Sequence, residues 1–257
     1  MAYLDKFSLK GKVALVTGTS TGLGQGITLA YVQAGAKVVG VDYMATQDDT
    51  VAKVKALGGE FTPVQKDLIK ATPEDLTNLV QQVVDTYGKI DILVNNAGII
   101  LREDLLDFPQ EYWERVMAIN LDTVFYLSQA AAKQYVKQGD GGKIINIASM
   151  LSFQGGIRVP SYTASKSAVK GITMAFANEL AKHNINVNAI APGYMATNNT
   201  QALREDETRA GQILERIPAG RWGTPEDVAG PAVFLASEAG SYVNGYTLAV
   251  DGGWLAR

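Results

Sequence analysis

The chain alternates short, wholly apolar runs with longer segments of helical periodicity, and this alternation constrains the fold more than any other feature. The first run, KVALVTG, is rich in β-branched residues and ends at a glycine, and a helical segment, GQGITLAYVQAG, follows it directly. A strand that is apolar throughout is expected to be buried on both faces, as strands of parallel sheets are. The same succession of strand and helix recurs along the chain, which favours right-handed βαβ crossovers.

Seven strands are predicted. The six after the first lie in KVVGVD, FTPVQKD, IDILVNNAG, GKIINIAS, INVNAIAPG and YTLAVDGG. Longer helices are predicted in PEDLTNLVQQVVDTYG, QEYWERVMAINLDTVFYLSQAAAKQYV and SYTASKSAVKGITMAFANELAKHN, the second of them open to an interruption, and a shorter one in TVAKVKALGG. The sequence therefore predicts one α/β domain over residues 1–257, a doubly wound, Rossmann-like parallel seven-stranded sheet with helices on both faces. Residues 194–225, polar and punctuated by glycine and proline, are expected to form a helical excursion that covers the substrate.

Composition excludes several kinds of function. The 257 residues are 47% hydrophobic and 19% charged, and the net charge of −3 comes with scattered lysines and arginines, so no nucleic-acid partner is expected. The absence of cysteine and the single histidine, His183, argue against a metal site, a thiol nucleophile or a Ser-His-Asp triad. No apolar run approaches the roughly 18 residues of a membrane span. A cytoplasmic protein without membrane or metal is therefore expected.

A glycine-rich turn, TGTSTGLGQG, joins the first strand to the first helix. Gly18, Gly22 and Gly24, together with Thr21 and Leu23, are predicted to bind a dinucleotide there. Glycine permits a tight turn and close approach of a pyrophosphate, and the helix N-terminus supplies free N–H groups and the positive end of the helix dipole. The spacing differs from the commonest G-x-G-x-x-G pattern, so the position after the first strand supports the prediction more than the spacing does.

The ends of the next strands supply further candidates for cofactor contacts. Asp42 ends the second strand, 18 residues after Gly24, where a carboxylate accepts hydrogen bonds from the adenosine ribose and repels a 2′-phosphate. No lysine or arginine lies at residues 19–21 or 43–44, so NAD(H) is predicted rather than NADP(H). The third and fourth strands lead to Asp67 and Leu68, expected at the adenine, and to NNAG, from which Asn95, Ala97 and Gly98 are predicted to line the crevice.

A tyrosine and a lysine share one helical face in SYTASKSA. Tyr162 and Lys166 are spaced i, i+4, which by itself is compatible with an ordinary packing pair. Ser149, however, follows the fifth strand 13 residues earlier, where a loop of that length can bring Tyr162 beside it. A tyrosine with a pKa near 10 is a poor base at neutral pH, and a neighbouring ammonium favours its phenolate. Ser149, Tyr162 and Lys166 are therefore candidates for a catalytic acid–base unit, and Asn120 lies on the preceding long helix.

Six segments together resemble the short-chain dehydrogenase/reductase family. TGTSTGLG, NNAG, the helix bearing Asn120, Ser149, YTASK and PGYMAT stand in that family's order and spacing, over essentially the whole chain. The resemblance implies a Rossmann-like fold, a nicotinamide cofactor, and an Asn–Ser–Tyr–Lys tetrad in which Tyr162 is the acid/base and Asn120 holds a water linked to Lys166. It also implies that Pro192, Gly193, Met195 and Thr197 lie near the nicotinamide and that the protein is a homotetramer.

From about Gly141 onward the chain is most similar to members of that family that act on keto-deoxy sugar acids, which implies such a substrate. A sugar acid needs a counter-ion for its carboxylate, and an arginine can bind it bidentately. Arg158 and Arg102 are the favoured candidates, while Arg204 and Arg221 flank the predicted excursion. Ser149 and Gln154 are expected to contact substrate hydroxyl or carbonyl oxygens.

Two other interpretations remain open at this point. The first is a different member of the family, acting on a polyol, a simple sugar or a 3-oxoacyl substrate. The second is a dinucleotide-binding sensor without turnover, which would be expected to have lost part of the tetrad. All four tetrad residues are present, so the enzyme is favoured over the sensor.

Overall fold

The computed structural model describes residues 2–257 and contains one seven-stranded parallel sheet. Its strands are β1 (Val13–Thr17), β2 (Lys37–Asp42), β3 (Phe61–Gln65), β4 (Ile92–Asn95), β5 (Gly142–Ile147), β6 (Ile185–Pro192) and β7 (Thr247–Val250). Their order is β3-β2-β1-β4-β5-β6-β7, and every neighbouring pair is parallel. The order reverses between β1 and β4, so the predicted doubly wound sheet is confirmed and its ligand crevice is expected at that point.

Helices connect the strands and cover the sheet. They are α1 (Gly22–Gln33), α2 (Asp48–Ala56), α3 (Pro73–Tyr87), α4 (Gln110–Met117), α5 (Thr123–Gln138), α6 (Pro160–Leu180), α7 (Gln201–Glu205), α8 (Glu207–Arg216) and α9 (Pro225–Ala236). Local signals account for several of their boundaries. The helix α3 begins with a capping box between Thr72 and Asp75 and ends at Gly88, which has a left-handed φ of 81°.

The core has two layers, one on each face of the sheet. Along β1, Val13 and Leu15 pack on one face with side chains of α3, α5 and α6, while Ala14 and Val16 pack on the other face with side chains of α1, α2 and α9. Successive side chains of a strand point to opposite faces, so a strand covered on both sides must be apolar at every position. This is the physical reason for the uninterrupted apolar run in the sequence.

The long helix predicted over residues 110–136, open to an interruption, is indeed interrupted, since a turn of π-helix at Ala118–Asp122 separates α4 from α5. The structure differs from the sequence-based expectations in two other places. The helix α9 was not predicted as an element, although Thr224 and Asp227 form a capping box at its start. The third and fifth strands end at Gln65 and Ile147, so Asp67, Leu68 and Ser149 lie in the loops that follow them.

The excursion over residues 194–225 contains α7 and α8, and a parallel bridge between Met195 and Gly223 joins its two ends. Within residues 2–257 no helix is both long and apolar enough to cross a membrane. The same residues contain no cluster of three or more His, Cys, Asp or Glu side chains suited to a metal ion.

Candidate active site

A crevice of about 870 Å³ opens at the carboxyl ends of the central strands, beside the point where the strand order reverses. It brings together most of the predicted site residues. Those that line it are Gly18, Thr21, Gly22, Leu23, Asp42, Asp67, Leu68, Ala97, Gly98, Ser149, Tyr162, Lys166, Pro192, Gly193, Met195 and Thr197. Loops from six different strands therefore meet around one cavity large enough for a dinucleotide and a small substrate.

The glycine turn is shaped for close backbone approach. Gly18 has a φ of 75° and Gly22 a φ of 60°, conformations that other residues adopt at a cost. The helix α1 begins at Gly22, which lines the crevice, and no side chain caps its N-terminus, so its first N–H groups are left for a ligand. Gly24 has a different role from the predicted one: a Cβ there would lie 1.9 Å from the Gly18 carbonyl oxygen, so Gly24 allows the helix to pack against the turn and does not line the crevice.

Asp42 stands at one end of the crevice with its carboxylate held by the backbone. One carboxylate oxygen accepts from the Ser20 N–H at 2.9 Å and the other from the Met44 N–H at 3.0 Å. A carboxylate with two such donors keeps its orientation. It is therefore held beside the glycine turn, facing the crevice.

The two asparagines of NNAG point to different places. Asn95 is buried behind the sheet, where its side-chain N–H₂ donates to the Ser128 hydroxyl at 2.9 Å and to Asn146 at 2.8 Å. The structure therefore does not bring Asn95 to the crevice. Asn96, which was not predicted, lines the crevice and donates to the carbonyl oxygens of Thr17 and Gly18 at 2.8 and 3.1 Å. It ties the end of β4 to the glycine turn.

Ser149, Tyr162 and Lys166 meet at the other end of the crevice. The Ser149 hydroxyl oxygen accepts from the Leu151 N–H at 3.1 Å, so its own proton remains available for donation. Lys166 is 3% exposed, and its ammonium donates to the Ile147 carbonyl oxygen at 2.6 Å. The same ammonium lies 5.8 Å from the centre of the Tyr162 ring.

The surroundings of Tyr162 act on its pKa in opposing directions. Desolvation raises the pKa of Tyr162, while the Ser149 hydroxyl and the positive charge of Arg102 lower it. Burial also lowers the pKa of Lys166 to about 8, because the ammonium has lost its water. The net pKa of Tyr162 is therefore raised while that of Lys166 is lowered, and neighbouring groups with perturbed pKa values are typical of a functional site.

Asn120 lies in the π-helical turn and is fully buried. Its side-chain oxygen accepts from the Ile99 N–H at 2.9 Å, and its N–H₂ donates to the Ile99 carbonyl and the Ser165 hydroxyl at 3.0 and 3.2 Å. These bonds fix the loop after β4 against α6. Gly98 is required beside it, because a Cβ there would lie 2.9 Å from the Asn120 side-chain oxygen and 3.6 Å from the Lys166 ammonium.

The predicted substrate residues separate into three environments. Arg102 donates to the Asn199 carbonyl oxygen at 3.3 Å and lies close enough to Tyr162 to affect its pKa. Arg158 is engaged by Glu103 and Asp104. Gln154 lies outside the crevice, since it lines a separate depression near the C-terminus and accepts from Arg216 at 3.3 Å.

The other two arginines near the excursion are also occupied. Arg221 forms a bidentate pair with Asp227 at 2.7 and 2.8 Å, and Arg204 donates to the Thr197 carbonyl oxygen at 3.2 Å. Among the arginines predicted for the substrate, Arg102 is therefore the one that combines proximity to Tyr162 with freedom from a carboxylate partner in residues 2–257.

The crevice and its residues define a dinucleotide-dependent oxidoreductase, and comparison with known proteins agrees. The family model described as enoyl-(acyl carrier protein) reductase matches residues 18–255. The chain is 62% identical over 254 residues to the 2-dehydro-3-deoxy-D-gluconate 5-dehydrogenase of Escherichia coli (strain K12) and 61% identical over 254 residues to that of Dickeya dadantii, with 99% of each chain covered in both comparisons.

A solved structure shares the fold. It is the crystal structure of a candidate 2-deoxy-D-gluconate 3-dehydrogenase from Agrobacterium tumefaciens with bound NADP; it is 52% identical, superposes with a TM-score of 0.92, and the match covers 98% of this chain and 99% of that chain. The chain therefore belongs to the short-chain dehydrogenase/reductase family, and a nicotinamide dinucleotide is its cofactor.

Proposed function

We propose that this protein oxidises a hydroxyl of a keto-deoxy sugar acid with NAD, or reduces the corresponding ketone, and that 2-dehydro-3-deoxy-D-gluconate and its 2,5-diketo form are the pair. The observation that carries the proposal is the meeting of Ser149, Tyr162 and Lys166 in the crevice that also holds the glycine turn. Relatives of about three-fifths identity over nearly their full length bear the name of that dehydrogenase.

The proton chemistry follows from the three side chains. In the oxidative direction the Tyr162 phenolate takes the proton of the substrate hydroxyl while the carbon gives up its hydride. Ser149 donates a hydrogen bond to the substrate oxygen, where charge develops during the reaction. The positive charge of Lys166 favours the phenolate, and its ammonium is placed to hold the nicotinamide ribose. When bound, NAD(H) supplies the hydride acceptor or donor.

The choice of NAD over NADP rests on Asp42. Its carboxylate is held facing the crevice and would accept from the ribose hydroxyls, whereas a 2′-phosphate would be repelled. Lys66 and Lys70 line the same end of the crevice, but each is paired with an aspartate, Asp75 and Asp67 respectively. Their charge is thus largely balanced. The Agrobacterium tumefaciens structure holds NADP, so the preference of this chain needs a direct measurement.

The carboxylate of the substrate is proposed to bind Arg102. Its guanidinium has one hydrogen bond, to a carbonyl oxygen of the excursion, and its charge lowers the pKa of Tyr162, although Arg102 is not among the residues that line the crevice. A carboxylate bound there would place the rest of a short sugar acid between Arg102 and the Ser149–Tyr162 pair. Residues 195 and 197–200 line the crevice, which supports the proposed covering role of residues 194–225.

We further propose a cytoplasmic homotetramer. Large apolar side chains are exposed on α4, α5 and α6, including Trp113, Tyr126, Val136 and Met174, and β7 lies at the edge of the sheet with Tyr246 exposed beside it. Surfaces of this kind are typical of contacts between subunits. Light scattering of the purified protein tests the state directly, and a monomer would contradict it.

The function is tested with a matrix of two cofactors and three substrate classes. Initial rates are compared with NAD and NADP on keto-deoxy sugar acids, simple polyols and 3-oxoacyl thioesters. The proposal expects the highest kcat/KM for NAD with a keto-deoxy sugar acid. A higher value for a polyol or a thioester would assign the protein to another activity of the family, and the absence of turnover on all of them would support a sensor.

The role of Tyr162 is tested with a matched pair of variants. Tyr162→Phe is expected to bind NAD normally and to lose at least about 100-fold in kcat, the usual contribution of an acid/base group. Tyr242→Phe removes the same hydroxyl from a fully exposed position away from the crevice and should retain activity. Retention of more than about a tenth of the rate in Tyr162→Phe would remove Tyr162 from the proposed role.

A further inference from the structure

Two loops that flank the crevice are joined by Arg158. One is the loop after β4, which carries Arg102, and the other is the loop between Ser149 and Tyr162. The Arg158 guanidinium contacts the Glu103 carboxylate at 3.2 Å and the Asp104 carboxylate at 3.1 Å, and the Glu103 N–H donates to the Arg158 carbonyl oxygen at 3.1 Å. The side chain and the backbone carbonyl of Arg158 thus both contact the same short segment, Glu103 and Asp104, of the opposite loop.

The backbone conformation of Arg158 indicates that the surrounding contacts maintain this connection between the two loops. Its φ is 63°, in the left-handed region that a long side chain adopts rarely, and the only other non-glycine residue with positive φ in residues 2–257 is Asn184. Such a conformation persists where the surrounding contacts require it. Isolated ion pairs at a surface contribute little, but here a forked guanidinium, two carboxylates and a backbone hydrogen bond act on one segment.

The segment that Arg158 holds determines where Arg102 lies, because Glu103 and Asp104 follow it directly. The pKa of the Glu103 carboxyl is lowered by the Asp104 N–H and by Arg158, so Glu103 is ionised at neutral pH. Arg102 in turn donates to Asn199 in the excursion, and its charge lowers the pKa of Tyr162. Contacts therefore link Arg158 to the segment that follows Arg102, and the charge of Arg102 acts on the Tyr162 phenol.

We infer that Arg158 is a positioning residue: through Glu103 and Asp104 it holds Arg102 at the substrate carboxylate and beside Tyr162. The inference rests on the proposed function, in which Tyr162 is the acid/base and the substrate carries a carboxylate. It replaces the expectation that Arg158 binds the substrate itself, since the Nε edge of its guanidinium is already engaged by two carboxylates of its own chain.

The variant Arg158→Asn separates this role from a structural one. Asparagine accepts the left-handed backbone conformation, so the loop can keep its path while the guanidinium is lost. With the proposed sugar acid at pH 7, kcat/KM is expected to fall about tenfold, as is common when contacting residues are uncoupled. Binding of NAD and the unfolding temperature should stay near those of the parent. Lys182→Asn, which removes a positive charge from an exposed site outside the crevice, is the matched control and should be unchanged.

The pH profile gives a second readout. Among residues 2–257, the groups that act on Tyr162 are Ser149 from the loop after β5, Lys166 from its own helix and Arg102 from the loop after β4. Displacing Arg102 removes one of the influences that favour the phenolate, so the pKa of Tyr162 rises. The acid limb of the kcat profile for oxidation should accordingly move to higher pH in Arg158→Asn.

A double-mutant cycle decides whether Arg158 acts through Arg102. In an Arg102→Gln background, Arg158→Asn should change kcat/KM by less than about twofold and leave the acid limb in place. An equal loss in both backgrounds would overturn the inference and indicate direct substrate binding by Arg158. An unchanged kcat/KM and pH profile in Arg158→Asn alone would also overturn it. Failure of the proposed function is recognised separately, by an active Tyr162→Phe or by the substrate matrix.

Discussion

Replacement of Lys166 by methionine is expected to stabilise the protein while it abolishes turnover. Lys166 is 3% exposed, and burial lowers its pKa from an ordinary value of 10.5 to about 8. A difference of about 2.5 between the two values means that the folded protein holds this proton less tightly by about 3 kcal/mol. That free energy opposes folding whenever the amine is charged in both states.

Methionine has a similar length and no charge, so Lys166→Met removes this cost. It also removes the donor to the Ile147 carbonyl oxygen, which offsets about 1 kcal/mol of the gain. The net gain at pH 7 is about 2 kcal/mol, or an unfolding temperature about 4–8 °C higher for a chain of this size. The assay is thermal unfolding of the cofactor-free protein, followed by circular dichroism and calorimetry.

The difference in unfolding free energy between Lys166→Met and the parent should depend on pH, and this dependence identifies its cause. Below about pH 8 the amine is protonated in both folded and unfolded states, and the full cost is present. Between pH 8 and 10.5 the folded protein releases the proton while the unfolded chain retains it, so the parent gains stability with rising pH. The difference in unfolding free energy between variant and parent should shrink over this window and reverse above it, where the parent keeps the hydrogen bond to Ile147 and is more stable by about 1 kcal/mol.

The matched control is Lys137→Met, at an exposed position in the last turn of α5, where the change should be within about 0.5 kcal/mol and independent of pH. An unfolding temperature for Lys166→Met that equals or falls below that of the parent at pH 7 would refute the reasoning. A stability difference between Lys166→Met and the parent that persists unchanged to pH 10.5 would also refute it, because burial of the charge would not then be the cause of the difference.

Two further substitutions test the cofactor end of the crevice. Asp42→Ala should reduce the NAD over NADP ratio of kcat/KM by at least about tenfold, since a charged acceptor of ribose hydroxyls is lost; an unchanged ratio would show that Asp42 does not read the ribose. Gly24→Ala should destabilise the fold and abolish NAD binding, because its Cβ would lie 1.9 Å from the Gly18 carbonyl oxygen. Gly211→Ala in α8, where nothing lies within 4 Å of the added Cβ, should instead retain or raise stability in the same unfolding assay.

The strands and most helices were predictable because their signals are local. Buried parallel strands must be apolar at each position, and glycine marks the ends of several elements, so the seven strands of the sheet follow from pattern alone. The helix α9 was missed for a local reason as well. Pro231 lies in its interior and interrupts the pattern, although the Thr224–Asp227 capping box marks its start.

The errors in the predicted site have a different origin. Asn95 and Asn96 are adjacent, yet one faces a buried network and the other the crevice, because successive side chains at a strand end point to opposite sides. With both faces of the sheet covered, the sequence contains no sign of which side holds the ligand. Gly24 was predicted to contact the cofactor for a related reason, since a glycine needed for packing looks the same in sequence as one needed for a ligand.

Prediction is weakest where the backbone departs from regular structure, and these departures lie at the site. Asn120 is in a π-helical turn, Gly18 and Gly22 have positive φ, and Arg158 is left-handed in the loop beside Tyr162. Glycine adopts positive φ readily, but the left-handed Arg158 costs free energy locally, so its conformation persists only where contacts distant in sequence stabilise it. Asn120 is held by Ile99 and Ser165, and Arg158 by Glu103 and Asp104. Sequence rules describe the conformation that each residue would prefer by itself. The geometry of the site depends on contacts with residues distant in sequence, which stabilise other conformations.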